Sequence, residues 1–160
     1  MELKLADFLA DLAPELPAAA LEGMLYRLTY TENRTEMTFH VRYDQVLDAE
    51  TMFAFETALE HRLSLSRVTL DCRYAPQLFT LETSYSSLIS QLKRRMSVLN
   101  GFLDHAGVKR EADKLAISLV HGGREILEQA GFCRALSMLI QEQYGLQLLV
   151  ELSGEDAAPA

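Results

Sequence analysis

Lys93, Arg94 and Arg95, followed by Lys109, Arg110 and Lys114, form the one basic grouping in a chain of 160 residues whose formal charge is -8. Clustered cations meet acidic protein surfaces or phosphate backbones, so this grouping is the first place to look for binding chemistry. Three consecutive residues on a helix spread over roughly 200° of its circumference, which makes Lys93 to Arg95 a partial patch, and a solvated helix face explains the same residues. The partner-contacting residues expected from this reading are Lys93, Arg94, Arg95, Lys109 and Arg110.

Residue types that catalyse are present without a catalytic spacing. His40, His61, His105 and His121 match no recognised zinc pattern, and His40 falls on the polar side of an alternating segment. The carboxylates are scattered, with none paired by spacing for acid/base work, and no Ser or Cys stands in a nucleophile-elbow motif. Gly122-Gly123 falls between a strand and a helix, where amides can hold a phosphate; a tight turn explains the pair as well, because the longer nucleotide fingerprints are missing. Cys72 and Cys133 lie far apart and suit two free thiols in a reducing, cytosolic setting. No catalytic residue, metal ligand or cofactor is expected, and no window reads as a signal peptide or membrane span.

The elements that must position these residues fall into two groups. Leu5, Phe8, Leu9 and Leu12 predict a short amphipathic helix over 4–12, closed by Pro14 and Pro17. Residues 22–30 alternate, with Met24, Tyr26, Leu28 and Tyr30 on one face, and a polar turn leads to the strand 36–43, where Met37, Phe39, Val41 and Tyr43 face inward. Asp48 is placed to cap a helix running to about Leu63, whose buried stripe is Met52, Phe55, Leu59 and Leu63. Residues 67–74 add a third strand with Val68, Leu70, Cys72 and Tyr74 inward.

After Ala75-Pro76 the apolar period changes from 2 to 3.6. Tyr85, Leu88, Ile89, Leu92, Met96 and Leu99 predict a helix from Ser84, interrupted near Asn100-Gly101, and a shorter helical piece is expected through Phe102, Leu103 and Ala106. A hairpin of 108–111 with 115–120, helices near 123–130 and 132–144, and a strand over 146–152 follow. Phe53 and Met138 sit off the apolar stripes and are expected to be exposed contact residues. The expected class is α+β: residues 1–76 as a ββαβ domain with a leading helix, 77–152 as an αββααβ domain preceded by a helix, and 153–160 as a linker or disordered tail. Residues 1–76 hold seven Lys/Arg against thirteen Asp/Glu, and 77–160 hold eight against ten, so nucleic-acid binding, if present, is expected to belong to the second domain.

The order helix, two strands, two helices, strand over 102–152 resembles the type II KH arrangement, whose members clamp single-stranded nucleic acid with a GXXG loop. The corresponding turn here reads Gln129-Ala130-Gly131-Phe132, without that clamp. Leu21-Glu22-Gly23, the run Met37-Thr38-Phe39-His40-Val41-Arg42-Tyr43, the helix Thr51 to Leu63, and Lys114-Leu115-Ala116-Ile117-Ser118 with the elements after it resemble the N-terminal region of PolC-type bacterial DNA polymerase III alpha subunits. The resemblance spans nearly the whole chain. It implies two small domains ahead of an OB-fold, a PHP domain with an inserted proofreading exonuclease, and a polymerase core. The second domain would be similar to the KH-like domains of the initiator DnaA and the clamp-loader tau subunit. Gly122-Gly123 and the many alanines depart from the usual lysine-rich version. The resemblance implies a cytoplasmic, non-catalytic fragment of a DNA-directed DNA polymerase, docking it to a replisome partner such as tau. The alternative is a KH-like module that binds single-stranded nucleic acid.

Overall fold

Period-two alternation builds the first unit. In the computed structural model, which describes residues 2–99 and 101–154, the strands are β1 (Leu3–Lys4), β2 (Met24–Tyr30), β3 (Glu36–Tyr43) and β4 (Arg67–Tyr74). Helices α1 (Leu5–Phe8) and α2 (Ala49–Arg62) and 3-10 turns at Ala10–Glu15, Ala19–Glu22 and Pro76–Leu78 complete it. The sheet runs β1-β2-β3-β4; β2 is antiparallel to both neighbours and β4 is parallel to β3, so α2 is the crossover connection that parallel neighbours require. The inward positions Phe39, Val41, Tyr43, Val68, Leu70, Cys72 and Tyr74 are all buried, as are Met52, Phe55 and Leu59 of α2. Phe39 and Phe55 meet edge to face at 5.7 Å. Asp48 caps α2, its Oδ1 accepting from the Thr51 amide at 2.7 Å.

Four expectations for this unit are corrected. The leading helix is one turn: Leu3 and Lys4 are drawn into the sheet beside β2, and from Ala10 the chain tightens to 3-10 geometry through Pro14, which has no amide to donate. The buried residue of β2 is Leu25, because a bulge between Leu25 and Arg27 breaks the two-residue period, and Tyr30, beside Met37 in the last pair before the hairpin turn, is exposed. Leu63 is 41% exposed, since α2 ends at Arg62 and Leu63 is already its C-terminal cap. Phe53, expected to be exposed, is half-buried.

The second unit follows a division after Leu78. Its elements are α3 (Ser84–Arg95), a 3-10 turn Ser97–Leu99, β5 (Gly107–Glu111), β6 (Lys114–Ser118), α4 (Arg124–Gln129), α5 (Phe132–Tyr144) and β7 (Leu149–Ser153). The sheet runs β5-β6-β7, with β7 parallel to β6. Leu115, Ile117 and Val150 are buried, and so are Leu88 and Leu92 of α3, Leu127 of α4, and Leu136 and Ile140 of α5. Between α3 and α5 the buried amides of Gln91 and Gln143 pair reciprocally, at 2.7 and 3.5 Å.

The order α, β, β, α, α, β is completed by α3 alone. The helix expected through 102–106 is a run of turns, because Gly101 (φ 91°) and His105 (φ 61°) leave the right-handed region. The last strand starts at Leu149 instead of 146, and Ser153, expected in the tail, ends that strand. Asn100 and residues 155–160 of the expected tail lie outside the described residues. No helix among the described residues is long and apolar enough to cross a membrane.

Candidate functional site

Parallel pairing of β3 with β4 sets two eight-residue strands in phase. Glu36 lies beside Arg67, Thr38 beside Thr69, His40 beside Asp71 and Arg42 beside Arg73. These are the polar halves of both alternations, so they share the face turned away from α2. On that face His40 Nδ1 donates to Asp71 Oδ2 at 2.7 Å, and its Nε2 lies 3.3 Å from Thr29 Oγ1. Asp71 Oδ2 also accepts from Arg73, at 2.9 Å from Nη2 and 3.3 Å from Nε. The bulge sets Tyr26 beside this network, its ring centroid 6.1 Å from that of His40 and the Arg42 guanidinium carbon 4.7 Å from its own centre. Arg42 is further paired with Glu2.

Asp71, His40 and Thr29 have the connectivity of a nucleophilic triad: a carboxylate holds one ring nitrogen and leaves the other for a hydroxyl. Thr29, however, is opposite Thr38 within the β2–β3 ladder, where backbone amides are used in strand pairing instead of converging beside the hydroxyl. The arrangement orients side chains on a surface. It is also a cationic surface: Lys4, Arg27, Arg42, Arg67 and Arg73 occupy register positions of this face, five of the seven Lys/Arg in residues 1–78, against Glu2, Glu36 and Asp71 of thirteen carboxylates. Sequence reasoning missed this site because its members are paired only by the register.

The five residues singled out from sequence do not share one surface. Lys93, Arg94 and Arg95 form the last turn of α3, where the negative end of the helix dipole favours cations, and Lys93 Nζ lies 3.9 Å from Asp104. Lys109 and Arg110 are on edge strand β5 and point to opposite sides of it. Arg110 is in register with buried Leu115, and its guanidinium lies 5.3 Å from the Phe79 ring centre; Lys109 is in register with Ala116 on the other face.

Gly122 and Gly123 serve the turn. Both have positive φ, and a Cβ on Gly123 would stand 2.3 Å from Phe102. Gly131, in the position of the absent clamp, caps α5 at φ 80°. Cys72 is wholly buried; burial, with Asp71 and Glu56 nearby adding to it against a hydrogen bond to Tyr74, pushes its thiol up to about 12. A concavity of about 240 Å³ in the first unit is lined by Tyr43, Asp44, Asp48 and Thr51 among others. Two of those groups are already engaged: Tyr43 donates to the Ala20 carbonyl and Asp48 caps α2. His105 and His121 bring their rings to 5.8 Å. Among the described residues no group of three or more His, Cys, Asp or Glu could hold a metal ion.

No protein-family model matches the chain, and no curated protein matches it. Among solved structures it is similar to the structure of the PrgH periplasmic domain, at 11% identity over 96% of this chain and 67% of that one, with a TM-score of 0.30. A likeness at that level carries no argument about fold or activity.

Proposed function

We propose that this chain is a non-catalytic docking module of a larger assembly, two small α+β bodies whose outer faces recognise another macromolecule. The assembly we assign is a bacterial replicative DNA polymerase of the PolC type, and the partner is the clamp-loader tau subunit. The observation that supports docking is apolar exposure in the second unit. Val120, Ile126, Met138 and Leu149 are 47–61% exposed, with Ile126 and Met138 on the neighbouring helices α4 and α5. Exposed large apolar side chains near charged ones are the raw material of a protein interface: the apolar groups supply affinity and the rim charges steer. Met138 stands where its position off the α5 stripe predicts. Lys93, Arg94 and Arg95 supply positive charge for an acidic partner surface.

Calorimetric titration of the full chain with tau tests the reading. Micromolar or tighter binding is expected, weakened at least tenfold by Met138→Asp and severalfold by Lys93→Glu with Arg94→Glu. Absence of heat, together with normal polymerase holoenzyme assembly after deletion of this region, would overturn it.

A further inference from the structure

We propose that the face of the first sheet turned away from α2 binds single-stranded nucleic acid, with Arg27, Arg42, Arg67 and Arg73 meeting phosphates and Tyr26 stacking on a base. By composition the first unit is acidic and should repel phosphate. The fold separates the charges: five of its seven Lys/Arg lie on this face with only three carboxylates. Most of the other acids belong to α2 and to the α1 and 3-10 segments on its side of the sheet, where Glu15 pairs with Arg62 of α2. One layer of packed structure is about 10 Å thick. That exceeds the Debye length of about 8 Å at physiological salt, so distant acids on exposed surfaces are largely screened from a ligand on this face.

The same face is poorly made for a protein partner. Apart from Met24 and Tyr26 it presents guanidinium, ammonium, imidazole and hydroxyl groups with the carboxylates of Glu2, Glu36 and Asp71 paired to Arg42, Arg67 and Arg73, whereas protein interfaces need a desolvated apolar centre. Polar, cation-rich surfaces are the signature of nucleic-acid contact. Thr29, Thr38 and Thr69 run in one row across β2, β3 and β4, offering hydroxyls to phosphate or sugar, and Tyr26 and His40 provide rings beside them. An open sheet presenting rings and cations is a general solution for single strands, whose bases are free to stack.

The test is fluorescence anisotropy of a labelled twelve-nucleotide oligo(dT) titrated with the full chain. Saturable binding is expected at 50 mM salt, falling about 50-fold by 200 mM if the four arginines contact about four phosphates. Arg27→Glu with Arg67→Glu, both at exposed positions, should weaken binding at least tenfold, and Tyr26→Leu about fivefold or more. If circular dichroism shows the charge reversal unfolded, Arg27→Gln with Arg67→Gln should give a smaller loss in the same direction. Met138→Asp and Lys93→Glu with Arg94→Glu should leave oligonucleotide binding unchanged, which separates this site from the docking surface of the second unit. Three results would overturn the proposal: no saturable binding at 50 mM salt, loss of binding through the second-unit variants alone, or displacement of the oligonucleotide by an equimolar twelve-residue oligoglutamate, which would make the face an acidic-protein surface.

Discussion

Strand β4 ends its sheet, and its outward amides should be open to any passing strand. They are not. The Leu70 amide donates to Glu56 Oε2 at 2.7 Å and the Val68 amide to Glu60 Oε2 at 2.9 Å. Geometry makes this double cap possible. Four helix residues rise about 6.0 Å and two strand residues about 6.6 Å, so carboxylates at i and i+4 of α2 match alternate amides of the strand beside it. Glu56 is only 8% exposed, and Leu70 is buried. In Glu56→Ala the Leu70 amide loses a charge-assisted hydrogen bond and stays buried without its acceptor, a loss of about 2–3 kcal/mol. For a unit of this size that corresponds to a fall in Tm of roughly 10 °C or more. Glu56→Gln keeps an acceptor oxygen and should lose about half as much. The direct readout is amide exchange at Leu70 by NMR, expected to rise at least tenfold in Glu56→Ala, alongside urea denaturation of the full chain. Opening the edge further, in Glu56→Ala with Glu60→Ala, should produce concentration-dependent association by sedimentation. A Glu56→Ala protein within about 0.5 kcal/mol of the parent and with unchanged exchange at Leu70 would refute the capping argument.

Asp48 accepts from the Thr51 amide, which holds its carboxyl below the ordinary range, so its contribution is present at neutral pH and is lost as pH falls through that lowered value. Asp48→Ala should therefore cost about 1 kcal/mol at pH 7, and the difference from the parent should shrink in acid titration as pH falls through that lowered value. Among the described residues the buried Tyr85 hydroxyl has no hydrogen-bond partner, and burial pushes it up to about 12. Tyr85→Phe should be neutral or stabilise by up to about 1 kcal/mol in urea denaturation; destabilisation beyond that would reveal a partner for the hydroxyl. A thiol reagent at pH 8 should label half-buried Cys133 at least tenfold faster than buried Cys72, with the rates converging in denaturant. Equal rates in the folded protein would show that β4 opens.

Legibility followed the range of the interactions involved. Strands β3 and β4 and helix α2 were readable because alternation, a capping Asp48 and an apolar stripe are local signals. The buried side of β2 was not, since a bulge is fixed by what the neighbouring strand demands; nor were the turns after Gly101, where His105 adopts a conformation that its residue type does not announce. His40 and Asp71 are 31 residues apart in sequence, and nothing local joins them. A clue did exist: two strands of equal length joined by one helix are natural parallel neighbours, and Glu36 and His40 in one match Arg67 and Asp71 in the other. The basic grouping near Lys93 was legible as composition, yet strand alternation sends Lys109 and Arg110 to opposite sides.

The pair Arg42 and Arg73 tests whether the cationic face is shaped by more than folding. They are register neighbours on adjacent strands, and like charges so placed destabilise a sheet by about 0.2–1 kcal/mol. Glu2 and Asp71 offset the repulsion, but a threonine at position 42 would avoid it and suit the strand. If the arginine is there to meet a ligand, Arg42→Thr should leave stability within about 0.5 kcal/mol of the parent, or raise it, while oligo(dT) binding weakens at least threefold. The opposite pattern, a loss above about 1 kcal/mol with binding intact, would make Arg42 a brace between Glu2 and Tyr26, and the excess of cations on this face would then need no ligand to explain it.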